Sequence, residues 1–233
     1  EPPYFIGRDN EIKEIVEGVK TLSQNYLVIG PRRIGKSSLL INVEKELTNF
    51  KNLIVVNINC IEATSYGEFS SIVIERLLET YERKHKIKGF LEIFKRSFKE
   101  STLTILKSIE KIGGSFKGII EVYLSFRENQ IDEHELAKKT FDFLESFSAE
   151  KKLKILIIFD EFQKVADFNS HLFKLLKSRI DQIKNIRYIF SGSSISILKN
   201  VFLQPKSPLY LMATKIYLKP LESNVVKNFI FKR

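Results

Sequence analysis

Apolar and polar residues follow two distinct patterns along the chain. Between residues 9 and 22, apolar side chains recur at three- and four-residue spacing, which predicts an amphipathic helix with Asp9 as its N-cap. A second helix is predicted from Lys36 and another over residues 168–183. Short, unbroken apolar runs are instead typical of buried strands. They occur at residues 26–29, 53–58, 155–159, 187–190 and 216–218.

The order of these elements predicts an α/β fold. Strands that alternate with helices form a mainly parallel sheet covered on both faces, which gives three layers, α/β/α. Residues 66–152 depart from the alternation, because helical spacing dominates there. The markers of that stretch are Phe90, Phe94 and Phe98, with a break at Gly113 and Gly114. We therefore predict a helical insert between the second strand and the strand at 155–159.

One strand-to-helix junction carries a phosphate-binding motif. Residues 30–37, with the sequence GPRRIGKS, match G-x-x-x-x-G-K-[ST] in full. The two glycines let the backbone turn tightly and present its N–H groups to phosphate oxygens, and the N-terminus of the next helix attracts the same anion. Lys36 is predicted to reach the β- and γ-phosphates, and the Ser37 hydroxyl to bind Mg²⁺. The predicted phosphate-binding residues are Gly30, Pro31, Arg32, Arg33, Ile34, Gly35, Lys36, Ser37 and Ser38.

Two acidic residues directly follow the apolar run at 155–159. In open α/β sheets, ligands bind at the carboxyl ends of the strands, where Asp160 and Glu161 are expected to lie. Asp160 is predicted to hold Mg²⁺ through its water shell, and Glu161 to act as the general base that polarises the attacking water. Ser191 and Ser193 follow the next strand, and either hydroxyl is suited to hydrogen-bond the γ-phosphate or that water.

Each of these motifs has a plainer interpretation. The glycine-rich segment alone is compatible with an ordinary strand-to-helix turn, and Arg32 and Arg33 either contact phosphate or are solvated. Asp160 and Glu161 are also suited to start the next helix as capping acids. The two serines are compatible with a polar turn after a strand. The co-occurrence of the motif and the acid pair favours the catalytic interpretation.

The composition favours a polyanionic partner and argues against disulfide and zinc sites. The 233 residues include 38 Lys and Arg against 28 Asp and Glu, a net charge of +10, which favours nucleotides, nucleic acid or anionic lipid. The alternative is a solvated, Lys-rich surface. A single cysteine and three histidines exclude an internal disulfide and a structural zinc site. No signal peptide or membrane-spanning run is evident, so a cytoplasmic location is expected.

The predicted insert contains a basic amphipathic stretch. Residues 86–127 hold nine Lys or Arg against four Glu, with Phe and Ile at helical spacing. Such a segment packs its apolar face onto the parent domain, binds protein or nucleic acid, or lies on a membrane surface. Packing onto the parent domain is the interpretation that we favour.

Four passages of the chain together resemble the archaeal ATPase family. This family lies on the STAND and AAA+ side of the P-loop ATPases and is similar to origin-recognition ATPases. The passages are YFIGRDNE at 4–11, GPRRIGKSSLL at 30–40, IIFDEFQ at 157–163, and FSGSS at 190–194 with the segment 207–221. The combination of the G-R start, the R-R-x-G-K loop and D-E-F-Q is more specific than the phosphate-binding motif alone, and the likeness covers nearly the whole chain.

The resemblance implies a P-loop NTPase domain over residues 1–221. Residues 222–233 would be the start of a truncated helical lid, since the chain stops inside a helix-like stretch and is interpreted as a piece of a longer protein. A winged-helix module would normally follow, which implies double-stranded DNA as a partner. A homo-oligomer is compatible with this arrangement.

The resemblance also implies roles for residues outside the phosphate-binding motif. ATP would be the nucleotide, with Phe5, Gly7 and Arg8 near the adenine, and Ser193 or Ser191 in the sensor-1 position. Relatives often have Gly-Arg where this chain has Leu-Met at 211–212, which puts any role for an arginine there in doubt. The guanine-reading pattern N-K-x-D does not occur in the sequence, which disfavours GTP.

Three functions remain open at this point. The first is Mg²⁺-dependent ATP hydrolysis that couples the nucleotide state to a partner or to nucleic acid. The second is an ATP-controlled binding switch with slow or no hydrolysis in a signalling or DNA-associated complex, because no arginine finger is evident. The third is an ATPase that acts on double-stranded DNA through a module beyond this chain. A non-enzymatic structural protein is disfavoured by the complete phosphate-binding motif.

Overall fold

A computed structural model describes residues 5–97, 99–100, 105, 114–167 and 170–231, without the side chains of residues 166, 167 and 170. The predictions that fall on residues 1–4, Phe98, Gly113, residues 168–169 and residues 232–233 lie outside this description.

Nine α-helices and five β-strands form within these ranges. The strands are β1 (Tyr26–Ile29), β2 (Leu53–Asn59), β3 (Lys154–Asp160), β4 (Ile186–Gly192) and β5 (Thr214–Tyr217). The helices are α1 (Asp9–Lys20), α2 (Lys36–Thr48), α3 (Tyr66–His85), α4 (Phe90–Arg96), α5 (Gly114–Arg127), α6 (Glu133–Lys151), α7 (Ser170–Gln182), α8 (Ile195–Phe202) and α9 (Ser223–Phe231). Short 3₁₀ helices, Cys60–Glu62 and Phe162–Asp167, follow β2 and β3.

The predicted strands all form, with ends that differ by at most two residues. The prediction of Asp9 as an N-cap is wrong: Arg8 occupies that position with φ −129°, and Asp9 is the first helical residue. The Arg8 guanidinium donates a hydrogen bond of 2.6 Å to the carbonyl of Lys219. This contact holds Arg8 in place as the N-cap, one residue before the position that the sequence pattern suggested. As a first-turn residue, Asp9 still places its negative charge near the positive end of α1.

The five strands form one parallel sheet in the order β2-β3-β4-β1-β5. The register pairs Ile29 at the end of β1 with Gly192 in β4, and Asn59 at the end of β2 with Asp160 in β3. The carboxyl ends of the strands therefore meet at one edge of the sheet. Because β4 lies between β1 and β3, the ends of those two strands are about 10 Å apart, a distance that side chains can bridge.

Alternate strand residues build two apolar cores, one on each face of the sheet. Tyr26 and Val28 of β1 face the core that contains the apolar residues of α1 and α2. Leu27 and Ile29 face the larger core, which contains residues of α3, α6, α7 and α8. This alternation produces the predicted three-layer α/β/α architecture.

The helical insert shares the larger core with the sheet. Phe94, Phe116 and Phe147, from three helices of the insert, are fully buried in the same cluster as Ile54 and Val56 of β2. This arrangement supports the interpretation that the apolar residues of the insert pack onto the parent domain. Within the described ranges, every helix is too short or too polar to traverse a lipid bilayer.

A lysine of the insert forms hydrogen bonds with the connection between α2 and β2. Lys84, near the end of α3, donates hydrogen bonds from Nζ to three backbone carbonyls in the α2–β2 connection, with distances of 3.1, 2.6 and 2.6 Å to the oxygens of Thr48, Phe50 and Leu53. Its positive charge lies at the C-terminus of α2, where the helix dipole favours a cation. Partial burial lowers the pKa of Lys84.

Candidate functional site

The glycine-rich loop turns between β1 and α2 as the motif requires. Gly35 is the N-cap of α2 with φ +94°, a backbone conformation that L side chains rarely adopt, and Arg33 has φ +62°. A Cβ atom on Gly30 would lie 2.9 Å from the carbonyl oxygen of Leu218. The two glycines are thus required for different reasons, Gly35 by its backbone angle and Gly30 by a close approach of the chain that follows β5.

Lys36 lies across this loop. It is the first residue of α2, it is only 5% exposed, and its Nζ donates hydrogen bonds to the carbonyls of Gly30 at 3.0 Å and Pro31 at 2.9 Å. Burial lowers the pKa of the Lys36 ammonium, while the carboxylates of Glu161 and Asp160 act in the opposite direction. The ammonium is thereby held inside the loop, close to the backbone N–H groups that are predicted to receive phosphate.

The acid pair and the loop meet at Ser37. The Ser37 hydroxyl donates a hydrogen bond of 2.7 Å to Oδ2 of Asp160, although the two residues are 123 positions apart in the sequence. The other oxygen of Asp160, Oδ1, accepts the backbone N–H of Glu161 at 3.0 Å. Both oxygens of the Asp160 carboxylate are therefore held by hydrogen bonds. The side chain extends past the end of β4 to contact the loop.

Ser37 and Asp160 form an oxygen pair that fits Mg²⁺. Magnesium usually takes one or two protein oxygens and completes its octahedron with substrate phosphates and water. Within the described part of the chain, no group of three or more His, Cys, Asp or Glu side chains is arranged to hold a metal ion without such help. The donor set thus suits a metal that arrives with a phosphate ligand.

Glu161 is held by the tip of the neighbouring strand. Its backbone has φ +53°, and its Oε2 accepts hydrogen bonds from Ser193 Oγ, at 2.9 Å, and from Gln163 Nε2. Burial acts to raise the pKa of Glu161, but these two hydrogen bonds and the charge of Lys36 outweigh it, so that the pKa is lowered. The side chain is consequently a carboxylate at neutral pH.

Lys36, Ser37 and Glu161 line one cleft of about 520 Å³ at the carboxyl edge of the sheet. Its positive charges come from the loop and from the segment after β3, and its negative charge comes from Glu161. The lining residues are Arg32, Arg33, Gly35, Lys36, Ser37, Ser38, Ile61, Glu161, Gln163, Lys164 and Ser193. Backbone donors, cations and a carboxylate around one opening suit a polyphosphate and an attacking water.

The two serines that were predicted after β4 occupy different places. Ser193 lines the cleft and contacts Glu161. Ser191 lies within β4, opposite Val28 of β1, and is fully buried. The structure therefore brings Ser193 to the other predicted site residues and leaves Ser191 inside the sheet.

The residues predicted to lie near adenine flank the loop. Arg8 is 6% exposed; besides Lys219, its Nη2 contacts the carbonyl of Ile34 at 3.5 Å, and its Nη1 pairs with Glu11 at 3.2 Å. Gly7 has φ +67°, and a Cβ there would come within 3.0 Å of the side chains of residues 221 and 225. Phe5 is partly buried against the core of α1 and α2. A role of this segment in binding a base remains a prediction.

Three residues of the cleft were absent from the prediction. Gln163 and Lys164 belong to the 3₁₀ helix after the acid pair, and their closeness to Glu161 in sequence was an available signal. Ile61 follows β2 and is 56% exposed at the cleft. Its position depends on the pairing of β2 with β3, which no local pattern reveals.

The family model that describes an ATPase domain predominantly from Archaea matches residues 5–232. No curated protein matches the chain.

Several solved structures are similar in fold at low sequence identity. The Walker-type ATPase Paby2304 of Pyrococcus abyssi is 19% identical with a TM-score of 0.65, over 100% of this chain and 59% of that one. The ORC2 protein of Aeropyrum pernix, in ADPNP–ADP complexes, is 14% identical with a TM-score of 0.57, over 99% and 52%. The ORC1 protein of the same organism, in complex with DNA, is 11% identical with a TM-score of 0.56, over 99% and 50%. These likenesses show a shared fold, and this chain spans between half and three-fifths of those proteins.

Proposed function

Because the chain belongs to the family of ATPase domains found predominantly in Archaea, we propose that it binds ATP with Mg²⁺ in the cleft around residues 30–38 and hydrolyses it to ADP and phosphate. The observation that carries this proposal is the hydrogen bond between Ser37 and Asp160. It joins the loop that would hold the phosphates to the strand that would supply the metal ligand and the base.

Nucleotide binding would rest on the loop and on Lys36. The backbone N–H groups of the loop and the N-terminus of α2 would receive the β-phosphate, and the Lys36 ammonium would exchange its carbonyl contacts for phosphate oxygens. That exchange is favourable because an anion compensates a buried positive charge better than two neutral carbonyls do. Phe5, Gly7 and Arg8 would border the base.

Mg²⁺ would be held by the Ser37 hydroxyl and, through water, by Asp160. The metal would supply charge neutralisation between the β- and γ-phosphates. The hydrogen bond of 2.7 Å between the two side chains supports this assignment, because oxygens so close together could share one hydrated cation.

Hydrolysis would use Glu161 as the general base. Its lowered pKa keeps it ionised at neutral pH, so it can accept a proton from the water that attacks the γ-phosphate. Ser193 would orient that water or the phosphate, a role that its hydrogen bond to Glu161 supports. ATP and water would give ADP, phosphate and one proton.

Measurement of phosphate release tests this proposal directly. Glu161→Gln should keep ATP binding and lower kcat by about 100-fold or more, and Lys36→Ala should lose both binding and turnover. Two exposed residues of α2 provide matched controls, Lys45→Ala and Glu46→Gln, which should behave as the wild type. Equal rates in Lys36→Ala, Glu161→Gln and the wild type would refute the proposal.

An ATP-controlled switch is distinguished from an efficient hydrolase by the rate of turnover. The family places the chain among ATPases but leaves the rate open. Fast turnover of the isolated protein would exclude the switch, whereas a single slow turnover followed by retention of ADP would support it. Both outcomes require Lys36 for nucleotide binding.

We further propose double-stranded DNA as the partner of the complete protein. The net charge of +10 and the fold shared with an ORC1 protein in complex with DNA support this proposal. Electrostatic binding to DNA should weaken steeply as salt rises, because each phosphate contact releases counterions. Fluorescence anisotropy of labelled duplex DNA, titrated with the full-length protein from low to high salt, tests it; no binding at low salt would refute it.

A further inference from the structure

Gln163 is a buried amide directly behind the proposed catalytic carboxylate. It belongs to the 3₁₀ helix Phe162–Asp167 and is only 6% exposed, yet its side chain reaches the edge of the cleft. Its Nε2 donates to Oε2 of Glu161 and lies 3.4 Å from Oγ of Ser193. Gln163, Glu161 and Ser193 therefore form a closed triangle of hydrogen-bonding groups.

The space for this amide is provided by a glycine in β4. A Cβ atom on Gly192 would lie 1.9 Å from Oε1 of Gln163 and 2.9 Å from Leu198, so any larger residue would displace the amide. Among the described residues, that Oε1 is buried with no hydrogen-bond partner. Burial of an unsatisfied amide oxygen is unfavourable for stability, which makes a purely structural role a poor explanation for a glutamine here.

The geometry of the triangle constrains one oxygen of Glu161 in particular. Both side-chain donors contact Oε2, and the backbone carbonyl of Glu161 accepts the N–H of Lys164 at 3.0 Å. The backbone N–H of Ser193 also hydrogen-bonds the Glu161 carboxylate, but among the described residues no side chain donates to Oε1. Oε1 is therefore the oxygen that would accept a proton from water. The backbone of Glu161 is left-handed, with φ +53°, a conformation that is uncommon for a residue other than glycine.

We propose that Gln163 is a positioning residue for ATP hydrolysis, which holds Oε2 of Glu161 so that Oε1 faces the attacking water. This inference rests on the proposed function of Glu161 as the general base. The amide itself gains and loses no proton: the proton of the water passes to Oε1, and the hydroxide oxygen forms the new bond to phosphorus while the bond to ADP breaks. Gln163 acts only through the orientation of Glu161.

The first experiment compares kcat and KM for the wild-type protein and Gln163→Met, which keeps the length of the side chain and removes its donor. We expect kcat to fall by roughly 10- to 100-fold, because a small misplacement of a reacting group has effects of that size, while KM stays within about two-fold. Gln182→Met is the matched control. Gln182 is exposed at the end of α7, before β4 begins, and thus at the opposite edge of the sheet from the cleft.

The second experiment repeats the substitution without the base. In a Glu161→Gln background, Gln163→Met should cause no further loss in the single-turnover rate, because there is no carboxylate left to orient. A residue that merely supports the fold would lower the rate in both backgrounds. Thermal unfolding identifies any variant that fails to fold, and Gln163→Leu, which also removes the donor without adding a charge, then replaces Gln163→Met with the same expected fall in kcat.

The outcomes separate this inference from the function on which it rests. If Glu161→Gln hydrolyses ATP like the wild type, the proposed function fails. If Glu161→Gln is slow but the Gln163 variants keep the wild-type kcat, only the inference fails. A rise in KM at constant kcat would also overturn it, since Gln163 would then bind nucleotide rather than position the base.

Discussion

Replacement of Gly18 by alanine tests how closely α1 packs against β1. A Cβ atom at Gly18 would lie 1.9 Å from the hydroxyl oxygen of Tyr26 and 2.8 Å from its Cζ. Tyr26 is fully buried, and its hydroxyl donates a hydrogen bond of 2.9 Å to the carbonyl of Glu14. The ring and the helix must therefore separate by roughly 1.5 Å to restore van der Waals contact, and that hydrogen bond must stretch or break.

The expected magnitude follows from three opposing effects. Alanine in place of glycine inside a helix stabilises by about 1 kcal/mol. Overpacking of a close contact costs about 1–3 kcal/mol, and loss of the tyrosine hydrogen bond costs about 1 kcal/mol more. Gly18→Ala should therefore reduce the free energy of unfolding by about 2 kcal/mol. For a chain of this length, that corresponds to a fall in Tm of about 4–8 °C.

A matched control is available in another helix. A Cβ at Gly118 in α5 would meet nothing within 4 Å, so Gly118→Ala should only gain helix propensity and raise Tm by about 2–4 °C. Thermal and denaturant unfolding of both variants, followed by circular dichroism, compares the same substitution at the two sites. Tyr26→Phe added to Gly18→Ala removes the clashing oxygen and should recover part of the loss. A rise in Tm for Gly18→Ala equal to that for Gly118→Ala would refute the packing argument.

Three further predictions concern the loop, the insert and the metal. Gly35→Ala should weaken ATP binding about 10-fold, because alanine at φ +94° costs about 1–2 kcal/mol and the free loop would relax to a conformation that does not bind phosphate; titration with a fluorescent ATP analogue measures this, and unchanged affinity would contradict it. Lys84→Met should lower Tm by about 3–6 °C, because the charged donor to three carbonyls is lost, and should leave kcat unchanged; a loss of activity without a loss of stability would refute this assignment. Asp160→Asn should raise the Mg²⁺ concentration for half-maximal ATPase rate by about 10-fold. A Mg²⁺ titration of the rate tests this, and an unchanged requirement would exclude Asp160 from the metal site.

Local patterns in the sequence were sufficient for the architecture and for much of the site. The run 155–159 is followed by two acids, and the run 26–29 is followed by glycine. The sequence therefore indicated both segments that form the cleft. The strand predictions were confirmed because burial on both faces makes the strands of a parallel sheet uniformly apolar. The alternation of strands and helices then placed both ends at the same edge of the sheet.

Features that depend on contacts between distant residues were not predictable. The position of β4 between β1 and β3 results from long-range strand pairing, and it decides that Ser193 reaches Glu161. The prediction for Asp9 failed because Arg8 is fixed by the distant carbonyl of Lys219. Gln163 was quoted only as part of the D-E-F-Q motif and was given no role, because its contacts depend on the absence of a side chain at Gly192, on another strand.

The shared core of sheet and insert limits how this domain can be divided. β2 and β3 are parallel neighbours, so the chain between them must return along the length of the sheet, and α3 is the first part of that return path. Excision of the helices between β2 and β3 would expose to water the apolar face that these strands present to the insert. A shortened protein would then be prone to aggregate, and its ATPase activity could not be measured. The insert thus covers one face of the sheet in the nucleotide-binding domain, and it cannot be exchanged as an independent module.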